Sequence, residues 1–166
     1  MPNKTLTVEQ VVALLAATPP RIAELTSGLK STQLHRPSDG EWSANDVLAH
    51  LRACADVWGG CMISILEGAP ALRAVNPLTW IEKTDYRSPD FARSLRSFSS
   101  QRVELLDALR SAPRASWLRT VTVTGAGAPL KRDALFYGRW MAGHERAHLK
   151  QIAKMVRAIV ESPRTT

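Results

Sequence analysis

His144 and His148 stand four residues apart in the string His144-Glu145-Arg146-Ala147-His148. On a helix that spacing brings both rings to one face, where imidazole nitrogens can converge on a single divalent ion. Both fall on the apolar stripe Phe136/Tyr137, Trp140/Met141, His144, His148, Ile152, Met155 and Ile159. One histidine on such a stripe reads as a core residue with a hydrogen-bond partner. Two in register would each need a separate partner, which makes a shared ion the better account. His50 is the third candidate: between Val47 and Leu51/Cys54 on an inward helix face, it can meet the pair across a bundle. A closed structural zinc site has four protein ligands, so three imidazoles leave a position for water or substrate.

The five-residue string also has the form of the zincin motif, in which the glutamate is the general base of a metalloprotease. Here no histidine follows His148, and Glu161 is the last acidic residue downstream. A third ligand would have to come from upstream, which is not the zincin order and argues against a peptidase. Glu145 is rotated about 100° from His144 around the helix axis; as a candidate catalytic residue it is either a base at the metal edge or a solvated side chain. Cys54, four residues after His50, neighbours the candidate site but reads as a small core residue, as does Cys61. His35, beside Arg36 in a polar stretch, lines an entrance or is an ordinary surface histidine.

The elements that must position these side chains follow from periodicity and caps. Thr7 and Gln10 form a capping box ahead of Val8, Val11, Val12, Leu14 and Leu15. Thr18-Pro19-Pro20 interrupts that helix or kinks it on its way to Leu29. Ser43 caps a second helix with Asp46 as its partner, Trp42 placed as a staple on Val47, and Val47, Leu51, Cys54, Val57/Trp58, Cys61 and Ile65 inward. Gly59-Gly60 in its middle costs about 1 kcal/mol each on propensity, so the pair marks close packing or a local distortion. Residues 70–88 read as a connection over the bundle. Ser88 then caps a third helix with Pro89 in its first position and Phe91, Leu95, Phe98, Val103, Leu105/Leu106 and Leu109 inward. A short extended segment over 117–124 and the Gly125–Pro129 loop precede a fourth helix reaching about Val160. Four such helices form an all-α bundle occupying residues 1–166 as a single domain.

Composition narrows the alternatives. The 166 residues are 45% hydrophobic, which excludes a disordered chain. No apolar run approaches a membrane span, and the start of the chain, with Lys4, has no secretory signal, so a cytoplasmic protein is expected. The formal charge of +7 is concentrated in residues 131–166, with eight Lys and Arg against three Asp and Glu. Arg139, Arg146, Lys150 and Arg157 lie opposite the histidine stripe, so the excess is a solvated helix face. With no finger, helix-turn-helix or interleaved aromatics, nucleic-acid binding is disfavoured.

The stretch Gly40-Glu-Trp-Ser-Ala-Asn-Asp-Val-Leu-Ala-His50-Leu, followed some ninety residues later by His144-Glu-Arg-Ala-His148-Leu-Lys-Gln-Ile152, resembles the DinB-like superfamily of bacterial metal-binding four-helix bundles. The resemblance implies an up-down-down-up bundle, His50, His144 and His148 as the metal ligands, and a homodimer. It also implies a relation to thiol-dependent transferases and isomerases that use mycothiol or bacillithiol. The isomerase branch often has a glutamate where this chain has His144, which favours the general DinB type. Independently of the resemblance, a three-histidine ion with an open position activates bound water or a thiolate. The expectation is an enzyme using a divalent metal (Zn, Ni or Fe), with a low-molecular-weight thiol as a possible second cofactor, acting on a small molecule as transferase, isomerase or hydrolase. The alternative is a non-enzymatic, stress-associated metal-binding protein.

Overall fold

The computed structural model describes residues 5–37 and 42–162; Lys4, and Gly40 and Glu41 of the first motif, lie outside the described residues. Helix α1 (Val8–Thr26) opens on the expected box: Thr7 Oγ1 accepts from the Gln10 N–H while Gln10 Oε1 accepts from the Thr7 N–H. It is not broken at Pro19-Pro20, and Thr18, Pro19, Ile22 and Thr26 are all buried on its inner face. The polar stretch after it contains a one-turn helix, α2 (Ser31–Leu34), closed by His35. The second long helix begins at the Ser43–Asp46 box and is continuous in three parts: α3 (Ala44–Cys54), a π-helical turn over Ala55–Gly59, and α4 (Gly60–Leu66).

The π turn resolves what Gly59-Gly60 are for. A Cβ on Gly59 would touch the Leu105 side chain at 3.4 Å, whereas one on Gly60 would meet nothing within 4 Å. The sequence thus marks both a distortion and, at Gly59, a close helix approach. Asp56, within this turn, accepts from Trp80 Nε1 (2.9 Å), Tyr86 Oη (2.6 Å) and Gln101 Nε2, pinning the turn to the following connection and to the third long helix.

That connection carries strand β1 (Ala71–Arg73) and helix α5 (Pro77–Trp80). The third long helix, α6 (Phe91–Ser111), is capped by Asp90 and not by Ser88; the Asp90 carboxylate accepts from the Arg93 N–H at 2.8 Å. After the short α7 (Arg114–Trp117), the segment expected to be extended forms β2 (Val121–Thr124). It pairs antiparallel with β3 (Leu130–Arg132) and parallel with β1, giving a three-stranded sheet beside the helices. Helix α8 (Ala134–Glu161) starts at Asp133, whose side chain accepts from the Phe136 N–H.

Helix α1 packs on α6 and α8, α3 packs on α6 and α8, and α4 packs on α8 and α6. The ring of four therefore places α1 diagonally from the second long helix and α6 diagonally from α8. One core runs through the ring, from Val11, Leu15 and Ile22 through Val47, Leu48, Leu51 and Met62 to Phe98, Leu109, Trp117, Met141 and Ile152. Gly138 lets α1 approach α8: a Cβ there would stand 2.7 Å from Val11 Cγ1 and 3.1 Å from Met62 Cε. On α8, Tyr137, Met141, Ile152 and Met155 are inward as expected, whereas Phe136 and Trp140 are 37% and 53% exposed. Val103 on α6 is likewise outside the core. Arg146, Lys150 and Arg157 lie on the exposed side of α8. No helix among the described residues is long and apolar enough to cross a membrane.

Candidate metal centre

The three expected histidines meet. Helix α3 delivers His50 from its second turn, fixed by the Ser43 cap, and α8 delivers His144 and His148 on successive turns. The Nε2 atoms of His50 and His148 each lie 3.1 Å from Nε2 of His144, and all three ligand atoms fall within 4.8 Å of one another. Metal–nitrogen bonds of about 2.0–2.1 Å place neighbouring ligand atoms about 2.8–3.4 Å apart for bond angles of about 90–110°. Both separations from His144 match those of ligands sharing one ion, and the three histidines could together hold a metal ion. His35 is not part of this cluster.

The imidazoles are held in the form that ligates. His148 Nδ1–H donates to Gln151 Oε1 at 2.7 Å, which leaves the lone pair of Nε2 facing the other rings. Burial, reinforced by His148 and then Arg87, lowers the His50 pKa to about 4; burial, His148 and His50 together lower that of His144 to about 3. His148 is also lowered, chiefly by burial, with the Gln151 hydrogen bond and the Glu145 charge opposing. His144 Nδ1 is buried with no hydrogen-bond partner among the described residues.

Aromatic rings wall the cluster. Trp42, expected to staple onto Val47, sets its ring 5.1 Å from His50 and stacked 6.4 Å from His148. Trp58, carried by the π turn, meets His144 edge-on at 4.9 Å and Trp140 at 6.0 Å, and Phe136 stacks on Trp140 beyond it. Cys54 lies beneath His50, its Sγ 3.5 Å from Nε2, fully buried; burial and the Glu145 charge push its thiol pKa up, so it is not a thiolate at neutral pH.

Glu145 lies elsewhere. It is 2% exposed, which excludes the solvated reading, and its carboxylate is taken up by the interior. Oε2 accepts from Thr18 Oγ1 at 2.6 Å and from Arg102 Nη1 at 2.9 Å, and Oε1 accepts from Arg102 Nη2. Sequence reasoning missed Gln151, although its i+3 spacing from His148 is the signal for an orienting partner. It also missed Arg102, whose partner is 43 residues away in the chain.

An all-α four-helix bundle presenting a three-histidine cluster between two of its helices is the class that fold and site define. The DinB superfamily model matches residues 14–152, and the chain belongs to that family. Among solved structures, YfiT from Bacillus subtilis, described as a probable metal-dependent hydrolase with an unusual four-helix bundle topology, superposes with a TM-score of 0.75 at 17% identity. The superposition covers 93% of this chain and 89% of that one, and it establishes the shared fold. No curated protein matches the sequence.

Proposed function

We propose that this protein is a divalent-metal-dependent enzyme acting on a small organic molecule, with His50, His144 and His148 as the protein ligands of one ion of the Zn, Ni or Fe class. The observation that carries this reading is the convergence of three neutral imidazole Nε2 atoms on one point. Once bound, such an ion supplies a Lewis acid and an activated water or thiolate near neutral pH. Gln151 holds His148 in its ligating tautomer. Trp42 and Trp58 keep water from two sides of the cluster, and the exposed ring of Trp140 offers a flat apolar rest for the body of a substrate. With no anionic ligand in the cluster, the site keeps a positive charge that favours an anionic nucleophile or substrate group. We take Glu145 as a positioning residue and not as the base, because both its oxygens are already engaged.

Hydrolysis is the preferred reaction, supported by the description of YfiT; transfer or isomerisation with a low-molecular-weight thiol is the alternative that the family resemblance carries. A homodimer and a cytoplasmic location belong to the same proposal. The test is metal analysis of protein purified without an affinity tag, followed by a screen of esters, amides and thiol adducts with and without added thiol. Stoichiometric metal and turnover are expected in the native chain, and both are lost in His148→Ala. Full metal content in both His50→Ala and His148→Ala would refute the ligand assignment. Metal that raises stability while no substrate turns over would point to the non-enzymatic role.

A further inference from the structure

Helix α6 carries none of the three histidines, yet two consecutive residues on it reach toward the two helices that do. Gln101 Nε2 donates to the carbonyl oxygen of Arg52 at 3.1 Å, two residues beyond His50, and to the Asp56 carboxylate. Arg102 turns the other way and meets both oxygens of Glu145, one residue beyond His144 and three before His148. Because α8 is rigid over one turn, whatever fixes the Glu145 carboxylate fixes the rotation of both imidazoles about the helix axis.

Arg102 is itself anchored at a third helix. Its Nη1 also donates to the carbonyl oxygen of Leu15 at 2.7 Å. In an uninterrupted helix that carbonyl would accept from the N–H of residue 19, but residue 19 is proline and has none. Pro19 therefore leaves a free acceptor in the wall of α1, and Arg102 fills it; Thr18, one residue earlier, completes the arrangement by donating to Glu145. Arg102 and Glu145 have side-chain exposures of 2% and 3%.

Stability alone does not account for such a pair. Removing two charges from water is costly, and well-packed apolar side chains of similar volume commonly hold a core as well or better. What the fork of a guanidinium on a carboxylate adds is direction, since two parallel hydrogen bonds define a plane that methyl groups cannot. We infer that Gln101 and Arg102 are positioning residues, a two-armed spacer on α6 that sets the His50 helix against the His144/His148 helix at the separation a metal ion requires. This rests on the metal-centre reading above and adds to it the device that holds the cluster in register.

The experiment replaces both partners, so that no charge is stranded. Arg102→Met combined with Glu145→Leu, and separately Gln101→Leu on the other arm, are compared with the wild-type chain by thermal unfolding without metal and by titration with cobalt(II), read from its visible absorption bands. The spacer predicts unfolding midpoints close to wild type, with cobalt affinity about 10- to 100-fold weaker, the range for loss of a group that supports a ligand, and altered bands in both variants. Wild-type affinity and bands in the folded variants would overturn it. If the double variant does not fold, Gln101→Leu alone decides by the same criterion. Failure of the wild-type chain to take up cobalt would instead overturn the metal-centre reading.

Discussion

Within five residues, α8 carries two polar clusters of opposite character. At Glu145 the charges are paired inside the protein: both carboxylate oxygens meet the guanidinium, the Thr18 hydroxyl donates to the carboxylate, and the carbonyl left free by Pro19 takes a guanidinium N–H, with Arg102 Nε left without a partner among the described residues. At His144 and His148 no opposite charge stands in the cluster: ring nitrogens face one another 3.1 Å apart, and His144 Nδ1 has no hydrogen-bond partner among the described residues. A cluster whose charges pair within the protein supports the fold, whereas one whose neutral nitrogens gather without a counter-charge could hold an ion. The largest expected effect separates them. In metal-free protein, Glu145→Ala strands the Arg102 charge and costs about 3–5 kcal/mol in urea unfolding, whereas His144→Ala changes stability by no more than about 1 kcal/mol. Adding stoichiometric zinc should raise the midpoint of the wild-type chain and leave that of His144→Ala unmoved. Equal losses without metal would break the contrast.

The same contrast explains what could be read from the sequence. The histidines were legible because their partners are set by helical periodicity: the i, i+4 spacing of His144 and His148 and the inward phase of His50 need no knowledge of the rest of the fold. The boxes at Thr7/Gln10 and Ser43/Asp46 were legible for the same local reason. Arg102 was not, since arginine is ordinarily exposed and its partners at Leu15 and Glu145 lie on other helices. Thr18-Pro19-Pro20 read as an interruption or a kink, although a proline inside a helix also implies an orphan carbonyl and so a donor somewhere. The parallel pairing of Ala71–Arg73 with Val121–Thr124 was hidden by the brevity of both strands and the long stretch of chain between them. Phe136 and Trp140 shared the apolar phase of α8 yet lie outside, because sequence phase does not show where a neighbouring helix ends.

A smaller effect sharpens the account of the histidine side. With the pKa of His50 lowered to about 4 and that of His144 to about 3, both rings are neutral in the folded protein at pH 5–7. The unfolded chain protonates them below about 6.5. Metal-free stability should therefore be fully present above about pH 6.5 and fall as the pH drops through the folded values, because the unfolded state binds the extra protons. Zinc binding near pH 6 should accordingly release few protons from these two residues, which calorimetry in buffers of different ionisation enthalpy measures directly. Release of about two protons per zinc from the ligand set would mean that the imidazoles are not held neutral before metal arrives.

The smallest effect tests whether the π turn belongs to either cluster. Gly60 has ordinary helical dihedrals, φ −59° and ψ −41°, and a Cβ there would meet nothing within 4 Å. Gly60→Ala should therefore stabilise the chain by about 0.5–1 kcal/mol through helix propensity and lost freedom of the unfolded state. Gly59→Ala should gain less, since its new methyl would press on Leu105 at 3.4 Å. Neither methyl would touch a histidine, so cobalt affinity should stay at the wild-type value in Gly60→Ala. Trp58 is the one ring the turn supplies to the cluster, and it rests edge-on against His144. A change in cobalt affinity on Gly60→Ala would show that the turn sets the position of His144 through Trp58, placing the control of the site on the second long helix as well as on α6.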